Sequence, residues 1–290
     1  MLQDTKEIQE TGERSRKAGM KVMMGVSVVG MILLAWGCSP KPYSSTNKMY
    51  RQQSKSLTRQ ILVQPADPLN DTIRQPAYWV GTTNFNLRKP SFVIIHHTAQ
   101  NSCPETLKTF TTPRTAVSAH YVICKDGTVH HMLNDYLRAA HAGVSRWGNL
   151  IDVNSSSIGI EIDNNGFQPF DSLQINSLLS LLARLKKDYN ISTANFIGHG
   201  DVAPGRKVDP SYQFPWKKLA DHGFGLWYDD VRDSIPAGFN PVQALRIIGY
   251  NVKDTTAAIR AFKRHFMQDT TRTLTDTDRS VLYNLERKYM

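Results

Sequence analysis

The stretch FVIIHH at residues 92–97 is a compact apolar run that ends in two histidines, His96 and His97. Such a run is typical of a strand that is buried on both faces, as strands of parallel sheets are. A second short apolar stretch, NFIG at residues 195–198, is followed directly by another histidine, His199. Because each predicted strand delivers a histidine at its end, the two strand ends can converge on one site.

Strands and helices alternate outward from these two stretches. We predict a short helix after Ser102, where Glu105 completes a capping-box pattern. An amphipathic helix is predicted at about residues 171–189, where leucines recur at near-helical spacing. Further strands are predicted at residues 119–124, 128–132 and 157–162. This interleaving predicts an α/β domain over residues 78–228.

The C-terminal part of the chain has a different, helical pattern. Helices are predicted at residues 241–248, 255–266 and 275–289. We therefore assign residues 238–290 to a small three-helix module. A module of about 50 residues needs a neighbour to pack against, or very efficient helix contacts, to be stable.

The N-terminal 38 residues have the features of an export signal. Basic residues precede an apolar run from Val22 to Trp36. As a helix this run would reach about 22 Å, which is short of a hydrocarbon core of roughly 30 Å. Residues 34–38, LAWGC, resemble a bacterial lipobox with Cys38 as the lipidated residue; an ordinary cleaved signal and an uncleaved anchor are the alternatives. The polar stretch 39–77 is predicted to be a flexible tether.

Charge and cysteine content narrow the classes of partner. The net charge is +10, but the basic residues are scattered and form no aromatic-interleaved stripe, so we expect no nucleic-acid partner. We expect an exported basic protein to bind anionic envelope polymers or lipid head groups instead.

Beyond Cys38, the sequence contains only two cysteines, Cys103 and Cys124. They either form a disulfide or are two buried thiols, and the sequence leaves both open.

Five residues carry the chemistry that the sequence suggests. His96, His199 and Asp209 offer two imidazoles and a carboxylate, a donor set that suits Zn²⁺ with an open position for water. The helix-borne HExxH pattern of thermolysin-like proteases is absent from the sequence. Lys207 would stabilise an oxyanion, or it is an ordinary solvated lysine. Glu161 interrupts an apolar strand and would be a general base, or it faces solvent at an edge.

Five stretches occur in the order found in one enzyme family. They are VIIHHTA at 93–99, SAHYVI at 118–123, AHAGVS at 140–145, SIGIE at 157–161 and GHGDVAPGRKVDP at 198–210. Together they resemble the zinc-dependent N-acetylmuramoyl-L-alanine amidases of the type-2 class, which are related to phage T7 lysozyme and animal peptidoglycan recognition proteins. The resemblance covers about residues 80–220. It implies a central mixed β-sheet flanked by helices and a cleft with one zinc ion.

The resemblance also implies a role for individual residues. The implied zinc ligands are His96, His199 and Asp209, whereas His97 points away from the metal. The implied catalytic residues are Glu161, as the acid/base carboxylate, and Lys207. The implied substrate-binding residues are His141, Tyr121 and Arg206. The implied reaction is hydrolysis of the amide between the lactyl group of N-acetylmuramic acid and L-alanine, in peptidoglycan or muropeptides, during cell-wall turnover or recycling.

Further expectations concern the ends of the chain and its surroundings. The stretch Asn84–Arg88 and the lipobox resemble lipid-anchored members of the family, so we expect an anchor on Cys38 in the outer membrane, facing the periplasm. We also expect a monomer. Residues 259–266 resemble the central helix of a peptidoglycan-binding domain; the alternative is a module that only stabilises the enzyme. Two other functions remain open, a non-catalytic peptidoglycan-binding protein and a zinc peptidase acting on the stem peptide.

Overall fold

The computed structural model describes residues 41–62, 87, 89–230 and 234–290. The chain divides into two compact units, Met1–Thr82 and Thr83–Met290. The predicted export signal with Cys38 lies outside the described residues, as does the stretch Asn84–Arg88 apart from Leu87. Within the described part, no helix combines the length and apolar character needed to cross a membrane.

The first unit contains one described helix, α1, at Ser44–Leu62. None of its residues is buried. The sequence predicted a flexible tether here, and the helix is a departure from that prediction. Its lysine, arginine, glutamine and leucine residues have good intrinsic helix propensity, which favours a helix even where polar composition precludes a core.

The second unit is built on a five-stranded mixed sheet, so the predicted fold class is confirmed. Its strands are β1 Phe92–His97, β2 Tyr121–Ile123, β3 Val129–His131, β4 Ser157–Ile162 and β5 Phe196–Gly198. They lie in the order β3-β2-β4-β1-β5, and only the β2–β3 pair is antiparallel.

Strand register sets the position of the site. On β1, His96 is paired with Glu161 of β4, and Ile95 is paired with Gly198 of β5. The residue after Gly198 is His199. Because the three strands are parallel, these histidines and the carboxylate all lie at the same edge of the sheet.

Helices cover both faces of the sheet. They are α2 Cys103–Thr111, α3 Ser172–Tyr189, α4 His199–Val202, α5 Trp216–Asp221, α6 Pro241–Ile248, α7 Thr255–Phe266 and α8 Asp276–Tyr289. The predicted bounds of α6 and α7 match the structure, and the predictions for α3 and α8 each begin one residue early. Those two extra residues, Asp171 and Thr275, are the N-caps of capping boxes. The short helices α4 and α5 were not predicted.

Each face of the sheet has its own hydrophobic core. One face packs against α3 through side chains that include Val93, Ile95, Ile158, Ile160, Leu178 and Leu182. The other face packs against the C-terminal helices through side chains that include Ile94, Ile197, Val202, Leu245, Phe262 and Leu285. The predicted catalytic segment and the predicted three-helix module therefore share one core, and the module completes the second helical layer.

The two cysteines form a disulfide, Cys103–Cys124. It joins the start of α2 to the residue after β2, and both cysteines are buried with Leu107 and Val122. Of the two alternatives that the sequence left open, the structure has the disulfide.

The N-cap of α2 is Ser102, but its side chain makes no capping bond. Instead, Glu105 accepts a hydrogen bond from the Asn101 backbone N–H, so the predicted capping box does not form.

Candidate active site

Three donor groups from separate parts of the chain meet at one point. His96 is the penultimate residue of β1, the strand paired with β5; His199 begins α4, and Asp209 lies in the loop that follows α4. Their ligand atoms all lie within 4.8 Å of one another, and all three residues are buried. Asp209 Oδ2 is 3.0 Å from His96 Nδ1 and 2.9 Å from His199 Nδ1. The structure thus brings together the three residues that the sequence predicted as metal ligands.

The second ring nitrogen of each histidine has its own partner. His199 Nε2 lies 3.0 Å from the carbonyl oxygen of Ala142, which can only accept, and 3.3 Å from Arg206 Nη2, which can only donate. The shorter contact favours the tautomer in which Nε2 carries the proton and donates it to Ala142. His96 Nε2 lies 3.0 Å from His141 Nδ1. His141 Nε2 in turn lies 3.2 Å from Ser157 Oγ, and the Ser157 hydroxyl donates to the carbonyl oxygen of Val153 at 2.6 Å.

This chain of hydrogen bonds assigns the tautomers. Because the Ser157 hydroxyl proton is used on Val153, its oxygen accepts from His141 Nε2–H, and His141 Nδ1 then accepts from His96 Nε2–H. Burial, together with repulsion by His199, lowers the pKa of His96 to about 4. Burial also lowers the pKa of His141 well below its usual value, so both rings are neutral near pH 7.

The assignment leaves three acceptor atoms facing one another. The Nδ1 atoms of His96 and His199 present lone pairs toward the carboxylate oxygen of Asp209. Three acceptors without a proton between them repel unless a cation lies among them. The two distances from Asp209 Oδ2, 3.0 and 2.9 Å, are close to the roughly 3.3 Å that a tetrahedral ion with bonds of about 2.0–2.1 Å would impose. The donor set, its orientation and its spacing therefore fit Zn²⁺.

Glu161 lies beside this cluster on the neighbouring strand. Its Oε1 atom is 3.8 Å from His96 Nδ1. Burial and the charge of Asp209 raise the pKa of Glu161 to about 8, and the charge of Lys207 opposes the shift. Its Oε2 atom is buried and has no hydrogen-bond partner among the described residues. A carboxyl group with an unused oxygen and a pKa near neutrality suits proton transfer.

Two basic residues of the Asp209 loop flank the cluster. Lys207 is half-buried, and its charge is close enough to lower the pKa of both His96 and Glu161. Arg206 is exposed, and its guanidinium donates to the carbonyl oxygens of Ala142 at 2.6 Å and Val144 at 3.0 Å. Arg206 therefore ties the Asp209 loop to residues 142–144, and the carbonyl oxygen of Ala142 in that segment also contacts His199. The predicted contact of Arg206 with substrate stays a prediction.

Tyr121 does not lie at the site, so its predicted role in substrate binding is wrong. On β2, Tyr121 is paired with Ile160, and both side chains belong to the core that packs against α3, on the sheet face opposite His96. The Tyr121 hydroxyl donates to Asp135 at 2.7 Å and accepts from Arg184 at 2.6 Å. Strand alternation is the physical reason, because the neighbouring Val122 is the residue in register with Glu161.

His141 reaches the site, where it contacts a predicted metal ligand. It is buried behind His96, and both of its ring nitrogens are used by His96 and Ser157. His141 therefore orients the ring of His96, and its predicted contact with substrate stays a prediction. The predicted orientation of His97 agrees with the structure, since its Nδ1 accepts from the Ser211 backbone N–H, away from the metal cluster. Ser157 and the Ala142 carbonyl were not predicted, and no local sequence signal distinguishes them.

Comparison with known proteins identifies the family. Residues 86–212 match the family described as N-acetylmuramoyl-L-alanine amidase. The N-acetylmuramoyl-L-alanine amidase AmiD of Escherichia coli (strain K12) is 32% identical over 206 residues, which are 60% of this chain and 74% of that relative. The chain belongs to the N-acetylmuramoyl-L-alanine amidase family. The matched segment of this amidase contains His96, Glu161 and Asp209.

Solved structures resemble the amidase beyond the segment that the family match covers. AmpDh3 from Pseudomonas aeruginosa, in complex with anhydromuramic pentapeptide, has a TM-score of 0.65 at 31% identity and covers 76% of this chain and 99% of that one. AmiD from E. coli, in complex with the substrate anhydro-N-acetylmuramic acid-L-Ala-D-gamma-Glu-L-Lys, has a TM-score of 0.64 at 26% identity and covers 75% and 97%. The amidase is thus an enzyme whose fold is shared by relatives with muropeptides bound.

Proposed function

We propose that this amidase uses Zn²⁺, held by His96, His199 and Asp209, to hydrolyse the amide between the lactyl group of N-acetylmuramic acid and L-alanine. The observation that carries the proposal is the set of three buried acceptor atoms that face one another with no proton to share. Zn²⁺ bound there would supply Lewis-acid chemistry, acidifying water and polarising a carbonyl group.

The chain's own residues would then perform the proton transfers. Glu161 would accept the proton of the attacking water and pass it to the nitrogen of the leaving L-alanine, a role that its unused oxygen and raised pKa support. The ammonium group of Lys207 would stabilise the negative charge that develops on the carbonyl oxygen. The desolvated surroundings of Glu161 would strengthen both effects.

The substrate class follows from the relatives. Both solved relatives described above are complexes with anhydromuramic peptides. We infer that this amidase acts on peptidoglycan or on muropeptides released from it, in cell-wall turnover or recycling. Arg206, at the exposed rim beside Lys207, is the residue that we assign to substrate contact.

We further propose a location in the cell envelope. The lipobox-like sequence at residues 34–38 supports export and lipid attachment at Cys38, and the absence of Asp after Cys38 favours the outer membrane. A monomer held there would face the periplasm, with residues 39–77 between the anchor and the catalytic unit. The likeness of residues 259–266 to a peptidoglycan-binding helix supports a second contact with the wall.

Mass spectrometry of purified muropeptides tests the reaction. The soluble chain that lacks residues 1–38 is incubated with substrate in the presence and absence of a zinc chelator. We expect free stem peptides and unsubstituted muramoyl sugars, and we expect chelation to stop their release. Binding without cleavage by zinc-loaded protein would indicate a non-catalytic binding protein, and cleavage within the stem peptide would indicate a peptidase.

A further inference from the structure

A buried aspartate joins the metal-ligand segment to the C-terminal helices. Asp201 lies on α4, two residues after His199, and is 3% exposed. Its Oδ2 atom accepts hydrogen bonds from the Gly198 backbone N–H at 2.8 Å and from His265 Nδ1–H at 2.7 Å. Its Oδ1 atom accepts from the Tyr250 hydroxyl at 3.0 Å. Two of these three donors belong to the C-terminal helical part of the chain.

Arg264, the residue before His265 on α7, makes a second contact with the metal-ligand segment. The guanidinium of Arg264 packs directly over Gly200. The contact is so close that a Cβ atom added to Gly200 would lie 2.5 Å from Arg264 Nη1. The Gly200 backbone N–H donates to the carbonyl oxygen of Asp209 at 2.7 Å. Arg264 is itself buried, beside a small cavity that Gly200 and Asp209 also line. The arginine thus covers the backbone that connects two of the metal-binding residues.

The ring of His265 is held in place from the other side. It stacks on Trp216 with ring centroids 3.9 Å apart and an interplanar angle of 11°. Trp216 is the first residue of α5, which follows the Asp209 loop along the chain. His265 therefore has little freedom to leave Asp201, and the contact is well placed to transmit the position of α7 to α4.

We propose that the C-terminal helices position the metal ligands, through Asp201, His265 and Arg264 as positioning residues. The inference rests on the metal site proposed above and adds a role for the module besides any contact with the cell wall. Helix α4 has four residues and contributes little stability by itself. The hydrogen bonds to Asp201 fix the strand end before His199, and Arg264 limits the movement of Asp209. Supporting residues of this kind change metal affinity by about 10–100-fold.

The affinity of the soluble chain 39–290 for Zn²⁺ tests the role of Asp201 and His265. Affinity is measured by competition with a chromophoric chelator, and Co²⁺ substitution reports the geometry of the site through its visible spectrum. We expect Asp201→Asn and His265→Phe to weaken Zn²⁺ binding by about tenfold and to alter the Co²⁺ spectrum. We expect His265→Asn, which retains a donor near the position of Nδ1, to recover part of the affinity.

Lys263→Met is the matched control on the same helix. Lys263 is buried and forms ion pairs of 2.8 Å with Asp269 and with Asp278, both in the C-terminal part of the chain. Its replacement should lower the melting temperature and leave the Zn²⁺ affinity and the Co²⁺ spectrum unchanged. If Asp201→Asn does not fold, Tyr250→Phe removes one hydrogen bond to the same carboxylate and should weaken Zn²⁺ binding by a smaller factor.

A double substitution tests the Arg264 contact separately. Gly200→Ala should weaken Zn²⁺ binding because its methyl group displaces the guanidinium. Arg264→Ala alone should also weaken binding, and adding it to Gly200→Ala should cause little further loss, so the two effects are not additive. Equal Zn²⁺ affinity and Co²⁺ spectra in wild type, Asp201→Asn and His265→Phe, or additive effects at Gly200 and Arg264, would overturn the positioning role. Failure of the wild type itself to bind Zn²⁺ would instead overturn the metal site.

Discussion

The Nε2 atom of His96 lies 3.0 Å from the Nδ1 atom of His141, and this contact determines which nitrogen of His96 faces Asp209. A histidine that binds metal usually donates its other N–H to an acceptor that fixes its tautomer. Here the acceptor is a second histidine, whose own proton is fixed by Ser157. The orientation of a predicted metal ligand thus depends on residues that lie 45 and 61 positions further along the chain.

Replacement of His141 tests this relay. We expect His141→Phe to weaken Zn²⁺ binding by about 10–100-fold, because His96 loses the acceptor that holds its Nε2–H. Zn²⁺ affinity is measured by chelator competition, with Ser157→Ala as a milder variant that removes only the end of the relay. Unchanged affinity in His141→Phe would show that the His96 tautomer does not need this partner.

Replacements of Glu161 and His199 distinguish a loss of catalysis from a loss of metal binding. We expect Glu161→Gln to keep its zinc and to lose about 10²–10⁴-fold in turnover, because the amide cannot accept a proton. We expect His199→Ala to lose both zinc and turnover. Metal content by atomic spectroscopy and muropeptide turnover, measured on the same preparations, decide the outcome. Full turnover in zinc-loaded Glu161→Gln would remove Glu161 from the mechanism.

The raised pKa of Glu161 predicts a pH-dependent stability of the metal-free protein. Burial, with the charge of Asp209, raises this pKa from 4.5 to about 8. Between these values the folded state retains a proton that the unfolded chain releases, so the free energy of unfolding falls as pH rises. Glu161→Gln lacks this group. We therefore expect the stability of wild type relative to Glu161→Gln to decrease from pH 4.5 to about pH 8 and then to level off.

Urea unfolding of chelator-treated protein at a series of pH values measures this difference. His96, whose pKa is lowered to about 4 by burial and by repulsion from His199, titrates in both proteins, so its contribution largely cancels. A constant difference across the range would mean that Glu161 has an ordinary pKa in the folded protein.

Replacement of Tyr121 tests whether this residue stabilises the hydrophobic core or acts in the active site. We expect Tyr121→Phe to leave kcat/KM unchanged, because the ring lies on the sheet face opposite His96. The variant should lose about 1 kcal/mol of stability, since the hydroxyl bonds to Asp135 and Arg184 disappear. Thermal unfolding and steady-state kinetics measure the two effects. A large loss of kcat with normal stability would return Tyr121 to the catalytic machinery.

The disulfide is expected to stabilise the fold without taking part in the reaction. It links Cys103 and Cys124, which are 21 positions apart in the sequence. Closing a loop of this size contributes about 3 kcal/mol through the unfolded state. We expect the double variant Cys103→Ser, Cys124→Ser to lose stability by about this amount and to retain its zinc affinity. Denaturant unfolding with and without a reductant, which should affect only the wild type, checks the result.

Much of the fold was predictable because its signals are local. Strand Ser157–Ile162 and helices Pro241–Ile248 and Thr255–Phe266 match their predicted bounds. Asn240 and Asp254 cap the two helices at the residues where the pattern starts. The cluster of His96, His199 and Asp209 was predictable because strand ends carried both histidines.

The errors arose where position depends on distant parts of the chain. The face occupied by Tyr121 could not be predicted, because β2 has three residues and its alternation is too short to assign. The contact of His141 with His96 depends on how two separate segments fold together. Helix α4 has four residues and no repeating apolar pattern, so propensity gave no signal for it. The core shared by the sheet and α6–α8 was likewise not predictable, because the sequence does not show which face of the sheet is left for these helices to cover.

The covering of one sheet face by the C-terminal helices has a consequence for protein engineering. Protein engineers exchange the binding modules of enzymes that act on cell walls. Such an exchange assumes that the catalytic domain folds independently of the module. Here a cut between residues 228 and 238 would strip the apolar surface formed by Ile94, Ile197 and Val202. Chimaeras of this amidase should therefore keep all of residues 83–290 and attach new modules outside that unit.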